Sequence, residues 1–195
     1  MPSAYPAGAM HARLVDAAQA FLLVVDLQEA FRDKIHEWKR TLQRVEVLIR
    51  GAQRLGVPVF CTEQYPKGLG RTVSELRDAL GATPVFEKRS FSALGAAGLP
   101  EQLQTLARRH AIVCGIETHA CINHTVHDLL DWGLRVHLPA DAVSARSHWD
   151  HDAAYQKMLG SGAIPGSVES LLLECMRGAE HPAFREVQVL LKSTP

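Results

Sequence analysis

FLLVVD (Phe21–Asp26) is the stretch that decides the fold. Its apolar residues run without a polar break, the pattern of a parallel strand covered on both faces. A carboxylate closes it. The helical stripe that follows takes in Trp38, Leu42, Val45, Leu48, Ile49, Ala52 and Leu55, and Gly56 stands just past its end. VPVFCT (Val57–Thr62) then reads as a strand, Val73–Leu80 as a short helix and PVFEK (Pro84–Lys88) as a strand. Leu99–Arg109 reads as helix, AIVCGI (Ala111–Ile116) as strand, and Ala120–Trp132 as a helix with a stripe of Ile122, Val126, Leu129 and Leu130. LRVHLP (Leu134–Pro139), a helix near Trp149–Leu159, a short strand at Ala163–Ile164 and two helical stretches, Val168–Arg177 and Pro182–Lys192, complete the alternation. Strands alternating with helices predict an α/β fold, a doubly wound sandwich of helices around a mostly parallel sheet.

Composition is consistent with this and excludes other classes. The chain has 195 residues, 47% of them hydrophobic and 22% charged, which fits one globular domain over 1–195. Residues 1–19 read as an N-terminal extension. The 21 basic residues balance 21 acidic ones, so no global field draws the chain to nucleic acid or to an anionic membrane. Arg108-Arg109 and Lys39-Arg40 are short basic pairs with no interleaved aromatic platform for RNA. No apolar run is long enough to cross a bilayer, and MPSAYPAGAMHAR lacks the basic start and apolar core of a secretory signal. A cytoplasmic location is expected. Cys61, Cys114, Cys121 and Cys175 are widely spaced with no CxxC pair, so reduced thiols are expected rather than a disulfide framework or zinc ribbon.

In an open parallel sheet, ligands bind beyond the carboxyl ends of the strands. Asp26 ends the first strand, Lys88 ends PVFEK, and Cys121 follows AIVCGI where a helix begins, so three reactive side chains meet on one rim. Thr118 reads as the N-cap of that helix. A thiol in an opening helical turn gains thiolate character from the macrodipole, and a neighbouring ammonium adds to it. A nearby carboxylate can take the thiol's proton. On position alone a small buried residue is the other reading of Cys121. His119 stands close enough to line a pocket, whereas His124 and His127 share a polar helix face with Asp128. His127 occupies the position where a cysteine phosphatase needs Arg. Asp26-Leu27-Gln28 lacks the second aspartate of a phosphoaspartate hydrolase, and neither GxGxxG nor GxxxxGK[ST] occurs.

VVDLQEAF, CTEQYPKGLG, FEKRSFSAL and CGIETHACI, in this order and spacing, resemble the isochorismatase-like cysteine hydrolases. The likeness runs from about Phe21 to HPAFREVQVLLK, and TEQYPKGLG resembles the isochorismatase domain-containing branch. The resemblance implies a six-stranded parallel sheet, with Asp26 as general base, Lys88 as orienting cation and Cys121 as nucleophile. It also implies a non-prolyl cis bond between Ile116 and Glu117. Where nicotinamidase relatives carry an Asp-x-His metal segment, this chain reads Glu63-Gln64-Tyr65-Pro66-Lys67, and no metal or other cofactor is expected. True isochorismatases can lack the cysteine, so Cys121 points to acyl chemistry. The expected activity is hydrolysis of a small-molecule amide or related C–N acyl bond through a thioester. The N–H groups of Glu117 and Cys121 form the expected oxyanion hole, and Gln28, Phe31, Tyr65 and His119 are the candidate substrate contacts. A binding or scaffold protein with a vestigial site is the alternative. The apolar C-terminal stretches, with Leu171, Leu172, Leu173, Phe184, Val187, Leu190 and Leu191, predict a homo-oligomer, a dimer or tetramer.

Overall fold

The computed structural model describes residues His11–Ser193; the first ten residues of the expected extension lie outside the described residues. In chain order the elements are β1 (Ala20–Val25), α1 (Trp38–Arg54), β2 (Val59–Gln64), α2 (Pro66–Leu69), α3 (Ser74–Leu80), β3 (Val85–Lys88), α4 (Leu99–Leu106) and β4 (His110–Ile116). The second half adds α5 (Asn123–Asp131), β5 (Arg135–Pro139), β6 (Val143–Ser144), α6 (His148–Gly160), β7 (Ile164–Gly166), α7 (Val168–Met176) and α8 (Phe184–Lys192). All paired strands are parallel, in the order β3-β2-β1-β4-β5-β7. The sheet has seven strands rather than six, because the two residues of β6 add to β4 beyond the end of β5.

β1 sits at the centre with all six residues buried. Its side chains alternate between two cores: Leu22 and Val24 join the residues of α1, α3 and α7, while Phe21, Leu23 and Val25 join those of α4, α5 and α6. Each fully buried leucine or phenylalanine contributes about 1.5–3 kcal/mol, so the unbroken apolar run is what makes this strand central. The chain lays β1, β2 and β3 in one direction and β4, β5 and β7 in the other. The reversal falls between β1 and β4, the position where such sheets open a crevice. Those two strands come very close at their carboxyl ends. Gly115, at φ 116°, is paired with Val25, and a Cβ there would overlap the Val25 carbonyl oxygen and lie 2.8 Å from Val25 N. Only glycine satisfies both the backbone angle and the space.

The C-terminal helices correct one expectation. Leu171 and Leu172 are 1% exposed and Val187 is fully buried, and Leu172 covers Gly51 of α1, where no side chain stands. Phe184, Leu190 and Leu191 pack against the same core, leaving only Leu173 and Val189 substantially exposed. The surplus apolar surface inferred from the sequence is therefore absorbed within the chain. Exposed aromatic residues lie elsewhere, with Phe91 at 58% and Trp149 at 74%. Residues Val15 and Asp16 of the expected extension are tied to the domain, Val15 N donating to Glu174 Oε2 at 2.9 Å and Asp16 lying 3.6 Å from Arg177.

Away from the crevice, β4 and β5 carry a buried pair of histidines. His110 Nδ1 and His137 Nε2 are 3.0 Å apart with nearly parallel rings, and Arg135 Nη1 lies 3.3 Å from His110 Nε2. Burial and Arg135 hold His110 below the usual imidazole range; burial, then His110 and Arg135, push His137 down to about 3. No helix among the described residues is long and apolar enough to cross a membrane.

Candidate active site

Asp26 leaves β1 in the left-handed region, at φ 54°, a conformation uncommon outside glycine and typical of residues aimed at a site. Its N–H donates to Thr62 O at 3.2 Å, and its Oδ1 accepts from Thr62 Oγ1 at 2.7 Å. Its Oδ2 lies 2.6 Å from Lys88 Nζ, and both side chains are almost wholly shielded from water. The Lys88 ammonium donates to Gln64 Oε1 at 2.7 Å, Phe91 O at 3.1 Å and Ser90 O at 3.2 Å. With Asp26 Oδ2 included, the ammonium has four oxygens within reach for its three protons, and the carboxylate at 2.6 Å is the nearest of them. The carboxylate is thus held in a close ion pair and also faces the Cys121 thiol.

Cys121 completes the group. β4 ends at Ile116, the Ile116–Glu117 peptide bond is cis, as the resemblance implied, and Thr118–Ile122 forms a π-helical turn that runs into α5. Glu117, rather than Thr118, precedes the turn; Thr118 Oγ1 is paired with His151 Nδ1 at 2.9 Å instead. The turn is fastened by Glu117 O, which accepts from Ala120 N and Ile122 N, and by Thr125 Oγ1, which donates to Cys121 O at 2.6 Å and accepts from Ala93 N. The Glu117 carboxylate accepts from Arg146 N and Nε, so its side chain is occupied away from the thiol.

The electrostatics of Cys121 are set by opposing neighbours. Burial, followed by the negative charge of Asp26, pushes the Cys121 thiol up to about 12, with Lys88 opposing. Desolvation and a facing carboxylate outweigh the helix start and the cation. The thiol is thereby pushed toward its protonated form, facing the Asp26 carboxylate. The other three cysteines are raised too, each chiefly by burial.

The structure thus brings Asp26, Lys88 and Cys121 together, and it sorts the expected substrate contacts. Gln28 is fully buried, and its amide is committed to the scaffold: Nε2 donates to Gln64 O and Gly70 O, while Oε1 accepts from Gln64 N. Phe31 packs against the α1 core. Tyr65 is 42% exposed at the rim under the Arg89 guanidinium. His119 lies within the turn, half-buried, with a buried Nδ1 that has no partner; Asn123 Oδ1, which the sequence reading passed over, is in the same state. His124 and His127 use Nδ1 on the carbonyls four residues back, at 2.8 and 2.7 Å. Gln64 and Thr62 were also missed, although both end the strand next to β3 and Gln64 is in register with Lys88. Among the described residues no group of three His, Cys, Asp or Glu side chains is arranged to hold a metal.

The Isochorismatase domain profile matches residues 20–170. The chain belongs to the isochorismatase family. It is 40% identical over 185 residues to Isochorismatase domain-containing protein 1 of Salmo salar, covering 93% of this chain and 63% of that protein. It therefore spans less than two thirds of that relative's length. The solved structure of MAR1 ribonuclease from Caenorhabditis elegans superposes with a TM-score of 0.87 at 40% identity, covering 93% of this chain and 94% of that one. The YcaC gene product of Escherichia coli, described as an octameric hydrolase of unknown specificity, shares the fold at 18% identity and a TM-score of 0.82, over 96% of this chain and 100% of that one. Isochorismatase-family membership supports hydrolase activity in general terms.

Proposed function

We propose that this isochorismatase-family chain is a cysteine hydrolase of small-molecule amides or related C–N acyl compounds. The observation that carries the reading is the buried Asp26 carboxylate, paired with Lys88 at 2.6 Å and in hydrogen-bonding reach of the Cys121 thiol. Cys121 Sγ attacks the acyl carbon while Asp26 takes its proton, and a tetrahedral oxyanion forms. Collapse breaks the C–N bond, Asp26 returns the proton to the leaving nitrogen, and a thioester remains. Asp26 then deprotonates a water that attacks the thioester; Cys121 leaves and is reprotonated, and the carboxylic acid departs. Lys88 offsets the charge that builds on sulfur and keeps Asp26 in place. The backbone N–H groups of Glu117 and Cys121 are the donors assigned to the oxyanion.

The test is a panel of amides scored for ammonia or amine release. Wild type is expected to turn over at least one compound, and Cys121→Ala none. Activity that survives Cys121→Ala would remove the thioester route. Inertness across the panel would favour a binding protein that keeps the fold without the chemistry. A second reading, action on RNA, is favoured by the name of the C. elegans relative. A fluorescent single-stranded RNA cleaved by wild type but not by Cys121→Ala would put it first. Self-association is part of the proposal, supported by the octameric E. coli relative and by the exposed Phe91 and Trp149; light scattering at micromolar concentration is expected to give more than a monomer mass.

A further inference from the structure

Beside the catalytic group, on the outer side of β3, lies a groove of about 430 Å³ between Tyr65, Lys67 and Arg89, with Lys88 at its inner wall. Its cations are organised. Tyr65 is held in the left-handed region at φ 37°, and its ring lies against Gly68, where a Cβ would fall 2.7 Å from Tyr65 Cδ1. The Arg89 guanidinium sits 4.5 Å from the centroid of the Tyr65 ring, a cation–π contact that fixes a planar group in one orientation. The Arg89 backbone is fastened as well, since its carbonyl accepts from Gln64 Nε2 at 2.9 Å. Yet the guanidinium has no hydrogen-bond acceptor and no carboxylate partner among the described residues, and Lys67 has none either. The one acid lining the groove, Glu87, is already answered by Arg71 at 2.6 Å. Arg89 is oriented from below by Tyr65, and its fork of N–H donors meets no acceptor among the described residues.

We infer that this groove is a binding site for a planar pair of anionic oxygens, a carboxylate or a phosphate ester, on a small molecule. A guanidinium presents two parallel N–H donors that match such a pair, and Lys67 supplies a second charge without directional demand. Lys88 borders this groove and, through its shielded side chain, pairs with Asp26, so the substrate we infer is an amide with an acidic arm. Calling the ligand a substrate rests on the hydrolase reading; the binding does not.

Calorimetric titration of the full chain with benzoate, phenyl phosphate and benzamide tests this. The two acids are expected to bind, with the stronger one identifying the source of the anion, and benzamide to bind at least tenfold more weakly than either. Arg89→Met is expected to weaken acid binding tenfold or more. Arg89→Lys, which keeps the charge and loses the fork, should weaken it several-fold. Gly68→Ala removes no charge but displaces the Tyr65 ring, and is also expected to weaken it, with an unchanged melting curve showing that the fold is intact. Cys121→Ser should bind the acids as wild type does. Equal binding of benzoate and benzamide, or acid binding indifferent to Arg89→Met, would overturn the inference. So would Arg89-dependent capture of a short single-stranded RNA with no binding of either acid. Acid binding without any amide turnover would sink the hydrolase reading alone, and turnover without acid binding would sink this site alone.

Discussion

Two buried polar pairs on the same sheet have opposite characters. At the carboxyl ends of the strands, Asp26 and Lys88 are 2.6 Å apart and of opposite sign, so each sustains the other's charge in a place without water. Farther from that rim, His110 and His137 are 3.0 Å apart and alike. Only one of the facing nitrogens can hold a proton, because two imidazolium N–H groups would point at each other. The unlike pair faces a third group, the Cys121 thiol, which burial and then Asp26 push up and Lys88 pulls down. Both members of the like pair are held below the usual imidazole range, chiefly by burial. Burial is common to both, and sign decides which becomes chemistry.

The sharpest way to break this contrast is Asp26→Asn. Loss of the base is expected to lower kcat by about a thousandfold, within the range for a positioned general base. The same change should make Cys121 easier to alkylate with iodoacetamide near neutral pH. It removes a charge that raises the thiol while leaving the ammonium that lowers it. Slower alkylation would mean that Asp26 is not what keeps the proton on sulfur.

Lys88→Met comes next. It leaves a buried carboxylate without its counter-charge, and a loss of about 3–5 kcal/mol in urea unfolding is expected. Asp26→Leu combined with Lys88→Met should recover most of that loss. If the double variant is as unstable as the single one, packing rather than uncompensated charge explains the loss.

How far these sites could be foreseen follows from the same distinction between pattern and burial. β1 was legible because an unbroken apolar run admits few other roles, and the end of that run places Asp26. Lys88 was legible as the last residue of its strand, and Cys121 as the thiol in the turn that follows β4. β6 was not, since two residues carry no periodicity. The upward pull on the Cys121 thiol could not be read either, because position in a helix is written in the sequence and desolvation is not. Gln64 was hidden because a neutral amide between Glu63 and Tyr65 carries no charge or metal-ligand signal, although its oxygen takes one of the Lys88 protons. Leu171, Leu172 and Val187 misled because an apolar stripe shows that a face is covered and does not say by what.

The smallest effect sharpens the other side of the comparison. His110 and His137 titrate below their ordinary range in the folded chain, so the unfolded chain binds their protons first as pH falls. Above about pH 6.5 they leave stability unaffected; below it stability declines, and for His137 the decline continues toward about 3. The expected share of His137 is about 1 kcal/mol at pH 6 and about 2 kcal/mol at pH 5. His137→Phe should flatten the dependence of the melting temperature on pH over that interval. An unchanged slope would show that other groups drive the acid loss.

The contact between Gly115 and Val25 has a consequence for how such a molecule can diversify. With no room for even a methyl group between the strands that lead to Asp26 and Cys121, the spacing of these two groups cannot be altered by small steps. Appetite for a new substrate has to be acquired elsewhere. It must come through exposed side chains of the segments that hang from the strand ends, such as Tyr65, Lys67, Arg89 and Phe91. The reaction is inherited as a rigid part, and its clientele is decided by what is attached to it.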